Sequence, residues 1–482
     1  MLFNSIDFAI FLPIVFLLYW FVVNKNLKLQ NLLILIASYV FYAWWDWRFL
    51  SLIIFSTLVD YVVGLKLKSE NHALNRKILL WISIIVNLGF LGFFKYYNFF
   101  LENFRNAFSI FGFEINANSL NIILPVGISF YTFQTLSYTI DIYKRKLEPT
   151  RDFIAFSAFV SFFPQLVAGP IERAKNLLPQ FYNKRNFNYS KAVDGLRQIL
   201  WGLFKKVVIA DNCAEFANHI FNNSAEMNGS TLVLGALFFT FQIYGDFSGY
   251  SDIAIGSARL FGFNLMRNFA FPYFSRDIAE FWRRWHISLS TWFRDYLYIP
   301  LGGSRGAMWK VIRNIFIVFI VSGFWHGANW TFIVWGALNG LYFIPLFLNK
   351  SHKNHQEIVA KGHYLPDMKS FILILITFSL TVFSWIFFRA ENISHALSYI
   401  SEIFSKSLFS KPEFPEMFDA LITIILIGLF IIVEWRGREW QYALQRFGFR
   451  WKQPTRFALY YCIIIIIFWF GGQQQDFIYF QF

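Results

Sequence analysis

The stretch SGFWHGANWTFIVWGALNG, residues 322–340, places a histidine in the middle of a long uncharged run. No Lys, Arg, Asp or Glu occurs in residues 314–349, a run of 36 positions. As one helix this run would be about 54 Å long, whereas the hydrocarbon core of a bilayer is about 30 Å thick. The run is therefore too long for one upright membrane helix and barely long enough for two.

His326 lies inside this run and admits two interpretations. It is either a core histidine satisfied by a neighbour or an acid/base group buried within the membrane. A buried imidazole tends to stay neutral because desolvation disfavours the cation, and neutral imidazole is the form that a general base needs. Ser322, His326 and Asn329 are four and three residues apart, and this spacing predicts that they share one helical face.

Two glycine pairs in the same run predict close helix packing. Gly323 and Gly327 form one GxxxG pair, and Gly336 and Gly340 form another. Such pairs let helix backbones approach each other within a membrane.

The composition is typical of a polytopic membrane protein. Hydrophobic residues make up 56% of the 482 residues and charged residues 15%, whereas soluble domains carry about a quarter charged residues. The formal net charge is +14, and the basic residues lie in loops between apolar segments. Cytoplasmic loops and contact with anionic headgroups explain this excess better than nucleic-acid binding does.

Cys213 and Cys462 are too far apart to form a disulfide framework. The sequence has no histidines and cysteines at the spacing of zinc ligands and no phosphate-binding glycine loop. We therefore predict no metal and no bound cofactor.

Recurring apolar segments predict an all-α integral membrane protein with about 11 spans in a single domain, residues 1–482. The segments lie near residues 8–23, 31–45, 49–64, 78–94, 121–140, 153–169, 229–245, 314–349, 371–388, 419–433 and 457–472. If residue 1 is outside, the loops between the first five segments and the loop after the fifth place ten Lys and Arg residues in the cytosol and three outside, as the positive-inside rule requires. Asp7 before the first segment and Lys25 and Lys28 after it reverse the charge order of a signal peptide. We expect a multi-pass protein of the cell (inner) membrane with its N-terminus outside.

A broken element and a basic segment follow in the middle of the chain. FFPQLVAGP, residues 162–170, combines two prolines with a glycine and a glutamine, which predicts a broken or re-entrant helix. Residues 171–191 are polar and basic, with no apolar run long enough to cross a bilayer. We expect this segment to face the cytosol, together with the basic segment 276–294.

The segment 271–305, FPYFSRDIAEFWRRWHISLSTWFRDYLYIPLGGSR, combines aromatic and basic residues. Its aromatic residues at spacings of four, seven and four fall close to one face of a predicted helix: Phe281, Trp285, Trp292 and Tyr296. An aromatic stripe opposite a basic face is typical of a helix lying at the headgroup boundary. His286 lies within this predicted interfacial helix.

Two carboxylates follow an apolar run in FQIYGDFSGYSDIAIGSARLFGF, residues 241–263. Asp246 comes after 19 uncharged residues, and Asp252 follows six positions later. A carboxylate at membrane depth faces protein or water because lipid exposure is costly. Either aspartate could orient a histidine or pair with an arginine.

The polar stretch 349–370 contains three histidines: His352, His355 and His363. They could bind a metal, but the surrounding charged and polar residues favour a solvated loop.

Several of these motifs resemble the membrane-bound O-acyltransferase superfamily. The resemblance is to the bacterial branch with alginate O-acetyltransferases and the membrane proteins of peptidoglycan and teichoic-acid acylation. It spans nearly the whole chain and rests on FWHGANWTFIVWGALNG (324–340), WRRWHISLSTWFRDYLYIPLGGSR (282–305), LPVGISFYTFQTLSYTIDIYKR (124–145), FFPQLVAGPIER (162–173), YGDFSGYSDIAIGSARLFGF (244–263) and FIYFQF (477–482).

The resemblance implies a polytopic helical bundle that transfers an acyl group, with His326 as the catalytic histidine. The upstream histidine of the WRRWH motif corresponds to His286. Asn329, Trp325 and Asp246 are candidates for substrate binding. The implied donor is a cytosolic thioester such as acetyl-CoA or an acyl carrier, and the implied acceptor is a hydroxyl of a cell-surface or exported polysaccharide.

Related bacterial systems resemble a relay, in which the membrane protein passes the acyl group outward to a separate transferase. The resemblance therefore also implies a periplasmic or extracellular transferase partner with its own serine nucleophile. Two other functions fit the same buried polar groups. The protein could be a transporter or flippase that moves an acyl carrier without chemistry. It could also be a non-catalytic scaffold of a polysaccharide secretion complex.

Overall fold

A computed structural model describes residues 1–115, 118–167, 169–471, 475, 477 and 478. Within those residues the chain forms helices joined by loops and no β-strand, so the predicted all-α class is confirmed. The helices in chain order are α1 (Ile6–Leu17), α2 (Leu27–Ala43), α3 (Leu50–Ser69), α4 (Ala73–Leu91), α5 (Tyr97–Ile110), α6 (Ile128–Tyr143), α7 (Phe153–Ser161), α8 (Phe163–Leu166), α9 (Ala174–Leu177), α10 (Tyr189–Leu203), α11 (Asp211–Asn222), α12 (Gly229–Leu260), α13 (Ile278–Arg284), α14 (Ile287–Phe293), α15 (Met308–His326), α16 (Trp330–Leu348), α17 (Met368–Arg389), α18 (Ile393–Ile403), α19 (Met417–Gly437) and α20 (Gln453–Trp469).

The helices are long and apolar enough for a multi-pass membrane protein. Among the described residues, seven have the length and composition to cross a bilayer: Trp47–Ser69, Ala73–Ile110, Gly229–Leu260, Met308–His326, Trp330–Leu348, Met368–Arg389 and Met417–Gly437. Four apolar helices are shorter: Ile6–Val22, Leu27–Ala43, Phe153–Leu166 and Gln453–Trp469. The polytopic helical fold is therefore confirmed, and the predicted number of about 11 spans stays a prediction.

Contacts divide the chain into two compact units. The first unit comprises residues 1–195 and 257–266, and the second comprises residues 196–256 and 267–482. The five candidate site residues all lie in the second unit: Asp246, His286, Trp325, His326 and Asn329. That the two units work as one membrane domain stays a prediction.

In the first unit, α6 explains why one predicted span differs from the structure. The apolar segment 121–140 becomes a loop up to Gly127, followed by α6 from Ile128 onward. Most of α6 is buried among other helices, including the polar side chains of Gln134 and Thr135. Hydropathy records that a segment avoids water, but it does not distinguish a lipid environment from a protein interior.

The predicted break at residues 162–170 is present. α7 ends at Ser161, and the backbone turns at Phe162 (φ −49°, ψ 105°) before α8 begins. The N–H of Phe163, freed by the break, donates to the hydroxyl of Ser38 at 3.0 Å. Satisfying such amides within the protein allows an interrupted helix in a membrane.

In the second unit, α15 and α16 pack into a tight hairpin. A Cβ atom on Gly323 would overlap the carbonyl oxygen of Phe332, and a Cβ atom on Gly336 would overlap the carbonyl oxygen of Phe319. The two backbones can therefore approach this closely because both positions are glycine. The hairpin fixes the position of the residues at its turn.

Candidate active site

His326 is the last residue of α15, at the turn of this hairpin. Gly327 has an extended backbone (φ −160°, ψ 152°) where α15 ends. The Oδ1 atom of Asn329 caps α16 by accepting a hydrogen bond from the N–H of Thr331 at 3.0 Å. The uncharged run thus forms two helices, and the histidine lies at their junction.

The expected helical face shared by Ser322, His326 and Asn329 is wrong for Asn329. α15 ends before Asn329, which instead caps the next helix. Its Nδ2 atom donates to the carbonyl oxygen of Glu391 at 2.7 Å and so ties the hairpin turn to the loop after α17. A contact between Asn329 and substrate stays a prediction.

Aromatic rings surround the His326 side chain, which is 2% exposed. The centroid of its ring lies 4.9 Å from that of Trp325, 5.2 Å from that of Trp335 and 5.4 Å from that of Phe388. These rings pack edge-on against the imidazole and exclude solvent from it. A proton acceptor in such surroundings interacts more strongly with developing charge than it would in water.

His286 interrupts the helix that the sequence predicts over 276–294. α13 ends at Arg284 and α14 begins at Ile287, with His286 between them in the left-handed region (φ 43°, ψ 54°). A non-glycine residue in this region is uncommon, and such residues cluster at functional sites. The side chain is 1% exposed, and its ring centroid lies 4.6 Å from that of Phe247.

The break brings the two candidate catalytic histidines together. The ring centroids of His286 and His326 are 6.4 Å apart. The Trp325 ring contacts both, at 6.0 Å from His286 and 4.9 Å from His326. Three of the five candidate residues therefore form one buried cluster.

The cluster offers neutral imidazole rather than imidazolium at the position of His286. Burial lowers the pKa of His286 to about 3, because desolvation penalises the charged ring. A neutral imidazole within a water-poor site is suited to accept a proton or a hydrogen bond from a hydroxyl.

Asp246 forms an ion pair with a lysine. Its Oδ1 atom lies 2.9 Å from the Nζ atom of Lys206, and its Oδ2 atom accepts a hydrogen bond from the N–H of Ile478 at 2.6 Å. Asp252 lies 2.5 Å from the Nζ atom of Lys205. The sequence predicted that either aspartate pairs with an arginine or orients a histidine. Both aspartates instead pair with lysines, which are adjacent in an apolar stretch of the sequence.

The basic residues of 276–284 bind protein groups, so the expected basic face toward the headgroups is wrong for them, and a position at the headgroup boundary stays a prediction. Arg276 and Arg284 both pair with the buried Glu280, at 3.0 Å and 2.8 Å. Arg283 donates to the backbone carbonyls of His352 and Asn354 at 2.8 Å and 2.9 Å. The histidine-containing loop after α16 thus docks against α13.

Metal binding by that loop finds no support in the arrangement of its histidines. Across the part of the chain that the structure describes, no three His, Cys, Asp or Glu side chains are grouped closely enough to hold a metal ion. Most of the FIYFQF motif lies outside the described residues, and its first two residues, Phe477 and Ile478, are buried.

Sequence reasoning missed Asn268. It lies in the loop between α12 and α13, is wholly buried, and its Oδ1 atom is 3.1 Å from the Nδ1 atom of His286. The signal in the sequence was an asparagine in the largely apolar stretch NFAFPYF, 18 residues before the histidine.

Comparisons with known proteins agree on one family. The family model described as membrane-bound O-acyltransferase matches residues 143–381, which include both histidines and Asn268. The chain is 41% identical to the probable alginate O-acetylase AlgI of Pseudomonas aeruginosa, over 90% of this chain and 80% of that protein. It is 39% identical to a peptidoglycan O-acetyltransferase of Helicobacter pylori, over 83% of this chain and 79% of that protein. It is 26% identical to a teichoic acid D-alanyltransferase of Bacillus subtilis, over 57% of this chain and 71% of that protein.

Proposed function

Because this chain belongs to the membrane-bound O-acyltransferase family, we propose that it moves an acetyl group from a cytosolic thioester toward hydroxyls of a cell-surface or exported polysaccharide. The chain is a multi-pass membrane O-acyltransferase. The donor, the acceptor and the residues that act on them are our proposal. The observation that carries it is the buried pair His286 and His326, with ring centroids 6.4 Å apart.

In the proposed reaction, His326 acts as the general base. A hydroxyl oxygen attacks the carbonyl carbon of the thioester while His326 takes the hydroxyl proton. The carbon–sulfur bond then breaks, and the proton passes from His326 to the departing thiolate. The products are an ester and a free thiol, so the reaction balances without an oxidant or a metal. Proton transfer by a positioned side chain contributes about 10²- to 10⁴-fold to a rate.

The donor is proposed to be acetyl-CoA or an acyl carrier, and the acceptor follows from the relatives. The probable alginate O-acetylase of Pseudomonas aeruginosa and the peptidoglycan O-acetyltransferase of Helicobacter pylori bear names of polysaccharide acylation. Polysaccharide hydroxyls are therefore the acceptor class that we assign to this chain.

We place the protein in the cell (inner) membrane with its N-terminus outside. This orientation is supported by the loops around the first four apolar segments, where it puts six Lys and Arg residues in the cytosol, against three outside. The exposed Asn183 in the basic segment 171–191 gives a test, as an Asn183→Cys variant of a protein otherwise free of cysteine. We expect an impermeant thiol reagent to label it only after the cells are opened. Labelling in intact cells would reverse the orientation.

A partner is proposed because the donor thioester and the polymer lie on opposite sides of the membrane. The longest polar stretches of the sequence, 171–191 and 349–370, are about twenty residues each, far short of the roughly 50 residues of a small domain. We expect the chain to pass the acyl group to a periplasmic or extracellular transferase with its own serine nucleophile.

One observation favours an alternative acceptor that is linked to a lipid. An apolar cavity of about 630 Å³ in the second unit is lined by side chains of α12, α17 and α19. Two of its lining rings, Tyr244 and Tyr273, lie 6.0 Å and 5.9 Å from Trp285, the neighbour of His286. A lipid chain in this cavity would bring an attached hydroxyl toward the histidines without a partner.

Proteoliposomes distinguish the relay from the lipid-linked acceptor. Labelled thioester is supplied on one side of the purified protein and polysaccharide on the other. We expect little polymer-bound ester until the partner transferase is added. Full-rate acetylation of the free polymer without a second protein would contradict the relay. Acetylation that appears only when the acceptor carries a lipid would support the alternative.

A further inference from the structure

Asn268 holds the segment around His286 through both its backbone and its side chain. Its carbonyl oxygen accepts a hydrogen bond from the N–H of Ile287 at 2.9 Å. Its Oδ1 atom lies 3.3 Å from the N of Ser288, 2.9 Å from the Oγ of Ser288 and 3.1 Å from the Nδ1 of His286. Asn268, His286 and Ser288 are buried, and Ile287 is partly exposed.

The backbone N–H of Ser288 fixes the orientation of the Asn268 carboxamide. A backbone N–H can only donate, so the atom that faces it must be the oxygen of the carboxamide and not its nitrogen. The same oxygen then faces the Nδ1 atom of His286. If Nδ1 carried no proton, two acceptors would oppose each other at 3.1 Å with no hydrogen between them.

The proton of neutral His286 is therefore on Nδ1, and the lone pair is on Nε2. Burial lowers the pKa of His286 to about 3, so the ring does not hold a second proton near neutral pH. Groups that face the ring include Phe247 of α12, Trp325 and His326 of α15, Asn268, and the hydroxyl of Ser288, whose Oγ atom lies 3.5 Å from Nδ1. Among these groups, His326 is the titratable one.

We infer that Asn268 is a positioning residue, which keeps His286 as a hydrogen-bond acceptor beside His326. This inference rests on the proposed function. A neutral ring whose single proton is bound to Asn268 cannot donate from Nε2 to the oxyanion of the attacked thioester. It can instead stabilise the positive charge that His326 gains when it takes the hydroxyl proton. In this arrangement His326 is the base, His286 orients it, and Asn268 holds His286. Catalytic triads use the same order of a base, a group that orients it and a third group.

The test compares two substitutions of Asn268 with a matched control. Asn268→Ala removes the acceptor of the Nδ1 proton, and we expect kcat to fall about 10- to 100-fold with KM little changed, as for other orienting partners. Asn268→Asp keeps an acceptor but adds a negative charge, which raises the pKa of His286. Once protonated, His286 can no longer accept a hydrogen bond at Nε2. The pH profile of this variant should therefore show an additional fall in rate toward acidic pH and approach the wild-type rate at alkaline pH.

The control is Asn314→Ala, which removes another buried asparagine of the second unit. Asn314 binds the carbonyls of Leu301 and Gly303, at 3.2 Å and 3.1 Å, and not the histidines. An Asn268→Ala variant with kcat within twofold of this control would overturn the inference. So would an Asn268→Asp variant with the pH profile of the wild type.

A measurement on the unsubstituted protein covers the case in which these variants do not fold. Nitrogen NMR of protein labelled at histidine reports which ring nitrogen carries the proton, and the His286→Gln variant assigns the signal. We expect a proton on Nδ1, and a proton on Nε2 would overturn the inference. This readout does not need turnover. If the wild type transferred no acyl group, the proposed function would fail while the NMR result still decided the tautomer.

Discussion

Cells that express His326→Ala should make the protein in normal amount and lose about 10²- to 10⁴-fold of the acyl transfer rate. The reason is that this imidazole is the group proposed to take the hydroxyl proton, and it is 2% exposed in an aromatic pocket. His326→Gln should lose as much, because glutamine approximates the size of histidine but has no basic nitrogen. The measurement is the ester content of the polymer in cells with matched amounts of each variant.

An exposed histidine gives the matched control. His363 lies in the loop after α16 and is exposed, so His363→Gln should keep normal ester content. Near-normal ester content in both His326 variants would identify His326 as a core histidine and would also favour the scaffold function. Loss of membrane insertion in both variants would assign it a role in folding.

Lys206→Met should cost about 3–5 kcal/mol of unfolding free energy, because it leaves buried carboxylates without their cation. The Nζ atom lies 2.7 Å from Asp211 and 2.9 Å from Asp246, and the lysine side chain is 1% exposed. Burial raises the pKa of Asp211 to about 7 in the intact protein. Protonation neutralises an unpaired carboxylate, so the loss should be larger at pH 8 than at pH 6. Thermal unfolding of the purified variant at both values measures it.

A surface lysine shows what an exposed ion pair contributes. Lys68 lies 2.5 Å from Glu148, with side chains 51% and 79% exposed, so Lys68→Met should cost at most about 1 kcal/mol. Adding Asp246→Asn to Lys206→Met should recover part of the loss. If Lys206→Met unfolded at the temperature of Lys68→Met, Asp246 would not depend on Lys206, and its candidacy for substrate binding would strengthen.

The sequence carried the local features of the site. The length of the uncharged run excluded a single upright helix, and the structure divides this run between α15 and α16. The motifs around His326 and His286 predicted the acyltransferase family, and the comparisons confirm it. These features depend on residues close together in the chain, where spacing and chemistry are readable.

The features that the sequence did not carry depend on contacts between distant residues. The left-handed backbone at His286 breaks a segment whose aromatic spacing fits one continuous helix, and Asn268 binds this break from 18 residues upstream. The lysine partners of Asp246 and Asp252 lie 40 and 47 residues earlier in the chain. No periodicity reports such pairings, because they are decided by how the helices pack.

The most direct test of the account follows the acyl group with purified protein. A donor thioester labelled in its acyl group is mixed with the wild type or His326→Ala, together with the partner transferase and the acceptor polysaccharide, and the labelled ester and free thiol are measured. We predict that the wild type forms ester and thiol in equal amounts and that His326→Ala forms almost none. A wild type that binds or moves the donor without forming ester, or a His326→Ala protein as fast as the wild type, would contradict it.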